Sequence, residues 1–406
     1  MNAKEIMDIF RDTAYVRMGG SPEERRTAEY LMGKLSQMGL EAQLQEFPVP
    51  MAEIQEARLL ADGKVVPCKG YLCAGRAEVE APFYYLRSLD AWSLRQCRGK
   101  IVMIDGYLRY WTYHDLYDHG AVGFITYDGN VNFTDRDIDQ RELRSYVSQG
   151  KILPGVNINA KDAVALVEQD VKTVKITLKQ EESTGSSHNV LLTLPGEVEE
   201  HHITFTAHYD STSLSQGAYD NMSGCIGLLS MAEYFSKHPH RYGLRFLWCG
   251  SEERGLLGSK AYCAQEENIR DCVLNINLDM IGCTMGKFIS VATAEEKVCH
   301  YISYLASELG VSLETSQGVY SSDSTPFADK GVPAISFGRV APPNTASYHN
   351  SYDTMAVMKG EQMVQDIAFI TAFADRMANA ALCPIKREIP ENMKEKLDIY
   401  LCRKRK

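Results

Sequence analysis

The sequence lacks any long apolar run. Across 406 residues, no stretch reaches the roughly 18 apolar residues in a row that a membrane-spanning helix needs. The first residues, MNAKEIMDIFRDTAYV, mix acids with apolar side chains and do not form the apolar core of a secretory signal peptide. We therefore expect a soluble, cytoplasmic protein that does not bind membranes.

The sequence also lacks an excess of basic charge and the cysteine spacing of a disulfide-bonded protein. The chain has 43 Lys and Arg against 53 Asp and Glu, a formal net charge of −10. Proteins that bind nucleic acids normally carry a basic surface, so no nucleic-acid partner is expected. The 11 cysteines are an odd number spread over a long chain, unlike the dense spacing of a secreted disulfide scaffold. A reducing compartment is the simplest interpretation.

Low-complexity segments and internal repeats are absent as well. The hydrophobic fraction of 45% and the charged fraction of 24% are typical of soluble globular proteins. A chain of 406 residues corresponds to two or three domains of about 150 residues each. The sequence therefore predicts a folded protein with a large core.

A capped helix is predicted near the start of the chain. Ser21 is followed by Pro22 at the first helical position and by Glu24 three residues after the serine, which is the pattern of a capping box. Apolar residues then recur at helical spacing until Gly39 provides a stop. We predict a helix over 21–40 followed by a strand, and no chemistry for this region.

Alternating strand-like and helix-like segments define the domains. The pattern predicts an α/β fold in which a mostly parallel or mixed sheet is sandwiched by helices, formed by residues 1–55 and 183–390. Residues 56–182 form a smaller inserted α/β domain without a tight cluster of metal-binding side chains. Residues 391–406 are expected to be a basic C-terminal tail.

Three strand-like runs of the larger domain end in residue types that bind metal ions. ITFTA is followed directly by His208, and VLNINL is followed directly by Asp279. LRFLWCG is followed, after one serine, by the pair Glu252 and Glu253. Because ligands of open α/β sheets bind beyond the carboxyl ends of the strands, these side chains are expected to meet at one edge.

Further residues complete a metal-binding set. Asp210 follows His208 in an H-x-D pair and suits a hydrogen bond to the second ring nitrogen of a metal-bound histidine. Asp220 stands where a helix begins and could bridge two cations, and His349 lies in a late polar loop. Two histidines, three carboxylates and one further carboxylate as general base suit two zinc ions that share an aspartate.

Five segments, taken in order, resemble the zinc metallopeptidase family 28, which includes bacterial and vacuolar aminopeptidases and the glutamate carboxypeptidases. They are AHYDS (207–211), AYDNMSG (218–224), GSEERGLLGS (250–259), NLDMIG (277–282) and SYHNSYDT (347–354). The resemblance implies the fold of the zinc-dependent exopeptidases. It also implies two Zn²⁺ ions per chain, one held by His208 and Asp279, the other by Glu253 and His349, with Asp220 as the bridge.

The resemblance further implies three catalytic roles. Glu252 would be the general base that activates a metal-bridging water, and Asp210 would orient His208. Tyr348 would donate a hydrogen bond to the developing oxyanion. One departure concerns Ser324, which stands where many members of the family have a histidine, so the substrate preference cannot be inherited from them.

The region from 60 to 180 resembles the protease-associated (PA) domain that many family members carry as an insertion. A sister group of co-catalytic peptidases instead places a long lid domain before the last histidine. Here only 349 − 279 = 70 residues separate Asp279 from His349, which leaves no room for such a lid. The insertion before His208 therefore favours family 28.

The sequence leaves three functions to be compared. The first is an aminopeptidase that acts on short peptides. The second uses the same metal site as a carboxypeptidase, or as an amidohydrolase of N-acylated amino acids, and would need an arginine for the substrate carboxylate. Arg254 and Arg339 lie near the motifs but are not placed by the sequence. The third is a catalytically silent binding protein, against which the complete ligand set argues.

Overall fold

A computed structural model of the protein describes residues 1–132 and 138–406. Within them, the strands are β1 (Ala42–Ala61), β2 (Lys64–Val66), β3 (Cys68–Gly70), β4 (Ala77–Tyr85), β5 (Ile101–Met103), β6 (Gly123–Asp128), β7 (Gly155–Asn159), β8 (Thr173–Leu194), β9 (Val198–His208), β10 (Tyr242–Cys249), β11 (Cys272–Leu278), β12 (Lys287–Thr293), β13 (Glu314–Gln317) and β14 (Ala334–Val340).

The α-helices of the described residues are α1 (Ala3–Asp12), α2 (Pro22–Gln37), α3 (Ala91–Arg95), α4 (Tyr110–Asp118), α5 (Ser145–Ser148), α6 (Ala160–Glu168), α7 (Ser223–Phe235), α8 (Leu257–Cys263), α9 (Glu266–Ile269), α10 (Lys297–Glu308), α11 (Ser324–Asp329), α12 (Gly360–Ala378) and α13 (Glu391–Tyr400). The segment Ala218–Met222, whose backbone is not helical at Asp220 and Asn221, precedes α7, and a 3₁₀ turn covers Met355–Val357. No helix in this part of the chain combines the length and the apolar character needed to cross a membrane.

The chain forms two units. The first consists of residues 1–47 and 186–404, and the second of residues 48–185. These divisions fall inside the long strands β1 and β8, whereas the sequence analysis placed them near 55 and 182. The two strand-like runs around 171–178 and 189–195 belong to the single strand β8. Pro48 and the run STGSS (183–187) stand at these divisions within continuous strands, so turn-forming residue types do not mark a break in either strand.

The first unit is built on a mixed sheet in the order β13-β12-β14-β11-β9-β10, completed by the end of β8. The central strands β14, β11, β9 and β10 run parallel, whereas β12 is antiparallel to β14 and the end of β8 is antiparallel to β10. The predicted class, a mostly parallel or mixed sheet between helices, is confirmed.

Alternating side chains of β10 show how both faces of this sheet are covered. Phe246 and Trp248 are buried in a core that includes residues of α1, α2, α7, α10 and α12. Leu247 and Cys249 are buried in a second core with residues of α8, α9 and α11. Successive side chains of a strand point to opposite faces, so an apolar run without alternation requires helices on both sides.

The second unit has a smaller core of its own. Strands β4, β5, β6 and β7 are parallel, the start of β8 pairs antiparallel with β4, and β3 pairs antiparallel with β7. Tyr113 of α4 and Leu166 of α6 are buried in this core together with Phe124 of β6. The insertion is therefore an α/β unit with its own hydrophobic interior.

The last residues of the chain are helical at first. Helix α13 begins at Glu391, and its residues Met393 and Leu397 are buried together with Ala328 of α11. The expected basic tail thus starts as a packed helix, whose apolar positions are four residues apart and share one face.

Replacing Phe246 by alanine is expected to destabilise the first unit. Its ring is fully buried and stacks on that of Phe205 with a centroid distance of 4.7 Å. Removal of a buried phenylalanine side chain costs about 3–5 kcal/mol because it leaves a cavity. Chemical denaturation should report this loss. Tyr304→Ala, at a side chain that is 78% exposed, serves as control and should change the free energy of unfolding by less than about 0.5 kcal/mol. Equal effects of both changes would contradict this description of the core.

Candidate metal centre

Three parallel strands deliver the candidate residues to one edge of the sheet. Strand β9 ends at His208, which is paired in register with Cys249, the last residue of β10. Strand β11 ends at Leu278, directly before Asp279, and pairs in parallel with β9. The carboxyl ends of these strands therefore lie side by side, and the residues that follow them form one site.

Asp220 lies between two groups of metal-binding side chains. Its Oδ1 atom is 3.1 Å from Nε2 of His208, and its Oδ2 atom is 3.1 Å from Nε2 of His349. The first group is completed by Asp279, whose Oδ1 atom is 3.9 Å from Nε2 of His208. The second is completed by Glu253, whose Oε1 atom is 3.0 Å from Nε2 of His349. Each group keeps its donor atoms within 4.8 Å of one another.

This geometry fits divalent cations bound by nitrogen and oxygen. A tetrahedral zinc site with bonds of about 2.0–2.1 Å places its donor atoms about 3.3 Å apart, close to the distances found here. Oδ1 of Asp279 is buried and has no hydrogen-bond partner among the described residues. A cation in the first group would give this oxygen a partner, which is what an otherwise costly buried carboxylate requires.

Crowded negative charge dominates the electrostatics of the site. Burial raises the pKa of Asp279 to about 7, against the effect of the neighbouring His208 imidazole. Burial also raises the pKa of Glu252 well above its usual range, and the charge of Glu253 adds to the shift. Burial works in the opposite direction on His208, yet the carboxylates around it raise the pKa of its imidazole. Bound cations would relieve this repulsion.

Glu252 is the carboxylate that belongs to neither metal-binding group. Its Oε2 atom is 3.9 Å from Nε2 of His208, and the side chain is 11% exposed. It thus lies beside the first group, while the adjacent Glu253 points to His349 of the second group. Neighbouring side chains of a loop point in different directions. Glu253 can therefore serve as a metal ligand while Glu252 stays free to act as a base.

Asp210 holds both the imidazole and the loop of the two glutamates. Its Oδ1 atom lies 3.3 Å from Nδ1 of His208. It also accepts hydrogen bonds from the backbone N–H groups of Glu252 (2.9 Å) and Glu253 (3.1 Å). The sequence pattern predicts the first contact but not the other two, because the loop lies 42 residues further along.

Left-handed backbone conformations cluster at this site. Three residues with side chains adopt the left-handed backbone conformation that favours glycine: Ser251 (φ +54°), Met280 (φ +61°) and His349 (φ +58°). Such residues cost about 1–3 kcal/mol each and persist where the surrounding structure holds them. Each of them is a site residue or the direct neighbour of one. Their backbone conformations therefore help to set the directions of the side chains of Glu252, Asp279 and His349.

Asp353 and Arg17 hold the segment that carries Asp220. The Asp353 carboxylate accepts hydrogen bonds from the backbone N–H groups of Tyr219 (2.7 Å) and Asp220 (3.1 Å). Arg17 is fully buried, and its guanidinium donates to backbone carbonyls that include those of Tyr209 and Gly217. No role for Arg17 is predicted from the sequence, because an isolated arginine in a loop has no recognisable pattern.

Two other predicted positions lie at the periphery of the groups. The ring of Tyr348 packs edge-on against that of His349 at a centroid distance of 4.8 Å, and its side chain is 51% exposed. Ser324 is buried, and its hydroxyl lies 2.8 Å from that of Ser336, on the strand next to β11. Ser324 therefore takes part in a hydroxyl pair inside the protein.

Replacing Asp353 by alanine is expected to destabilise the site loop. The buried N–H groups of Tyr219 and Asp220 would lose their acceptor, and an unsatisfied buried donor costs about 1–3 kcal/mol. Thermal or chemical denaturation of the metal-free protein measures this loss. Exposed Glu361→Ala is the matched control and should have little effect. An unchanged midpoint for the Asp353 variant would show that these hydrogen bonds do not hold the loop.

Comparison with known proteins agrees with this architecture. Residues 189–372 match the model of peptidase family M28. Aminopeptidase YwaD from Bacillus subtilis (strain 168) is 28% identical over 382 residues, which cover 88% of this chain and 80% of YwaD. That alignment therefore spans both units of the structure.

Solved structures show the same fold over almost the whole chain. An aminopeptidase from Aneurinibacillus sp. strain AM-1 has a TM-score of 0.76 at 24% identity, covering 95% of this chain and 96% of that protein. BSAP, a zinc aminopeptidase from Bacillus subtilis, has a TM-score of 0.77 at 24% identity, covering 96% and 98% of the two chains. The segment that matches the family model contains all the residues of both metal-binding groups.

Proposed function

We propose that the protein is a zinc-dependent aminopeptidase that removes N-terminal residues from short peptides and holds two Zn²⁺ ions. The observation that carries this proposal is the pair of metal-binding groups that share Asp220, with Glu252 beside them. The match of residues 189–372 to the model of peptidase family M28 and the names of the similar proteins, aminopeptidase YwaD and the zinc aminopeptidase BSAP, support the same activity.

In this proposal each group of side chains holds one zinc ion. His208 and Asp279 would hold the first, Glu253 and His349 would hold the second, and Asp220 would contribute to both. Imidazole nitrogens and carboxylate oxygens are common zinc ligands in catalytic sites. Zinc bound there supplies a lower pKa for water and Lewis acidity toward the scissile carbonyl.

The proton transfers fall to Glu252. This carboxylate takes a proton from the attacking water and later gives it to the leaving amine, as a general base and then a general acid. Asp210 keeps the imidazole of His208 in place through its contact with Nδ1. In this proposal Tyr348, which packs beside His349 and is half exposed, donates a hydrogen bond to the oxyanion of the substrate.

The charges around the site favour a free amine over a free carboxylate as the recognised end. Arg339 uses its Nε and Nη2 atoms to bind Asp366 at 2.9 and 2.6 Å, and Nη1 to bind the carbonyl of Gly286 at 2.7 Å. Arg254 donates to the carbonyl of Gly19 at 3.1 Å. The two arginines that lie near the motifs thus bind other groups of the protein, whereas the carboxylates suit an ammonium group.

The second unit is proposed to be a PA-like domain that takes no part in the chemistry. Among the described residues, both groups of metal-binding side chains lie in the first unit. The order of the elements, with an α/β unit inserted ahead of the metal-binding segments, agrees with the resemblance noted in the sequence.

Zinc-loaded protein is expected to shorten peptides from a free N-terminus only. A mixture of short peptides with free and blocked ends, followed by mass spectrometry with and without a chelator, tests this. Chelation should abolish the reaction because the metal-binding side chains carry out no hydrolysis alone. Cleavage from the C-terminus, or of N-acylated peptides, would move the protein to the carboxypeptidase or amidohydrolase alternative. No cleavage at all would favour a binding protein.

Glu252→Gln should lower kcat by about 10²–10⁴-fold, the usual contribution of a general base. The amide is nearly isosteric but does not accept a proton at neutral pH. Zinc content, measured by atomic emission, should stay the same because Glu252 belongs to neither metal-binding group. The exposed Glu267→Gln is the control for the loss of one negative charge. Unchanged turnover in the Glu252 variant would refute its role as base.

A further inference from the structure

Glu24 is a buried carboxylate for which the proposed chemistry has no role so far. It lies in the first turn of α2, and only 1% of its surface is exposed. Burial raises the pKa of its carboxyl group, and the charge of Asp210 adds to the shift. A buried carboxylate is costly unless several donors surround it, so the contacts of Glu24 indicate what it does.

The Glu24 carboxylate joins the start of α2 to the loop of the two glutamates. Its Oε1 atom accepts hydrogen bonds from the backbone N–H (2.8 Å) and the hydroxyl (3.1 Å) of Ser251, and from the hydroxyl of Ser187 (2.9 Å). Its Oε2 atom accepts from the backbone N–H of Gly20 at 2.6 Å. Ser251 is 227 residues away in sequence and directly precedes Glu252.

These contacts correct the capping box predicted from the sequence. Ser21 does cap the helix, since its hydroxyl accepts from the N–H of Glu24 at 3.1 Å. The reciprocal half is missing, because the Glu24 carboxylate binds Gly20 and Ser251 and does not return to the N–H of Ser21. Glu24, which fits a helix-capping pattern in the sequence, thus holds the loop of the two glutamates instead.

Glu24 and Asp210 together hold three consecutive backbone N–H groups. Ser251 donates to Glu24, and Glu252 and Glu253 donate to the two oxygens of Asp210. Because Ser251 has the strained left-handed conformation, its position depends on such partners. The first of the three anchors comes from the N-terminal segment, which the sequence analysis considered free of chemistry.

The backbone around this contact is packed too closely for larger residues. A Cβ atom on Gly19 would lie 2.4 Å from the hydroxyl oxygen of Ser251. A Cβ atom on Gly250 would lie 2.9 Å from Oε1 of Glu24 and 2.5 Å from the carbonyl oxygen of His188. Glycine at both positions allows the carboxylate and the loop to approach each other.

We propose that Glu24 is a positioning residue for the general base: by holding Ser251 it keeps Glu252 beside His208. Glu24 itself touches neither the candidate metal ligands nor the substrate position. The inference rests on the proposed function for its kinetic consequence, but its structural consequence can be measured without any substrate.

The kinetic test compares Glu24→Ala with Glu23→Ala, an exposed glutamate in the same helical turn. Displacement of a catalytic group by about 1 Å costs on the order of 100-fold in rate, so the Glu24 variant should lose about 10–100-fold in kcat. KM and zinc content should stay within about twofold of wild type, because the metal-binding side chains keep their partners. The Glu23 variant should behave like wild type.

Two further variants separate positioning from folding. Glu24→Gln keeps an acceptor oxygen for Ser251 and Ser187, and it should recover most of the lost kcat. Glu24→Asp keeps the negative charge, but the shorter side chain moves the carboxylate away from Ser251. It should therefore lower kcat as the alanine variant does. If Glu24→Ala does not fold, the comparison of the Gln and Asp variants still tests the proposal. Equal kcat in those two variants would overturn it.

Hydrogen–deuterium exchange gives a readout that does not need activity. Peptides covering residues 248–256 should exchange faster in the Glu24→Asp and Glu24→Ala proteins than in wild type, Glu24→Gln or Glu23→Ala. Unchanged exchange in the loop would refute the anchoring role, whatever the kinetics. If the Glu24→Asp and Glu24→Ala variants exchange faster but the wild-type protein hydrolyses no peptide, Glu24 remains the anchor of the loop and the proposed function is overturned.

Discussion

The concentration of carboxylates at one edge of a buried sheet is the constraint on which this structure depends. Asp210, Asp220, Glu252, Glu253 and Asp279 lie within the reach of two imidazoles, and all but Glu252 are at most 9% exposed. Like charges at these distances cannot all stay ionised in a medium of low dielectric constant without cations or protons between them. The shared Asp220 makes the two groups of metal-binding side chains parts of one site.

The surrounding fold opposes this repulsion through the backbone. Asp353 accepts from the N–H of Asp220, Asp210 accepts from those of Glu252 and Glu253, and Glu24 accepts from that of Ser251. The acidic side chains therefore stand on loops whose N–H groups are satisfied by other buried acids. Such an arrangement lets a site be rigid before a metal ion binds, which reduces the reorganisation that binding and catalysis require.

The fold and the candidate site were predictable to different degrees. The order of strands and helices after residue 186, the helices on both faces, and the meeting of His208, Glu253 and Asp279 at one edge follow from apolar runs and their ends. The limits of the two units were not predictable, because β1 and β8 pass through them as unbroken strands. Strand β13, Glu314–Gln317, was missed because its four polar and partly exposed residues have no apolar pattern.

The sequence by itself determined which chemical groups stand at the strand ends and in which order, because a parallel sheet brings the carboxyl ends of its strands to one edge. Only the tertiary structure decided which acids support the others. Glu24 fits a helix-capping pattern in the sequence, and Arg17 fits no known motif. Both nevertheless bind loops of the site that lie about 190 to 230 residues away along the chain. Contacts of that kind depend on how a helix packs beside a sheet, and local spacing carries no signal for them.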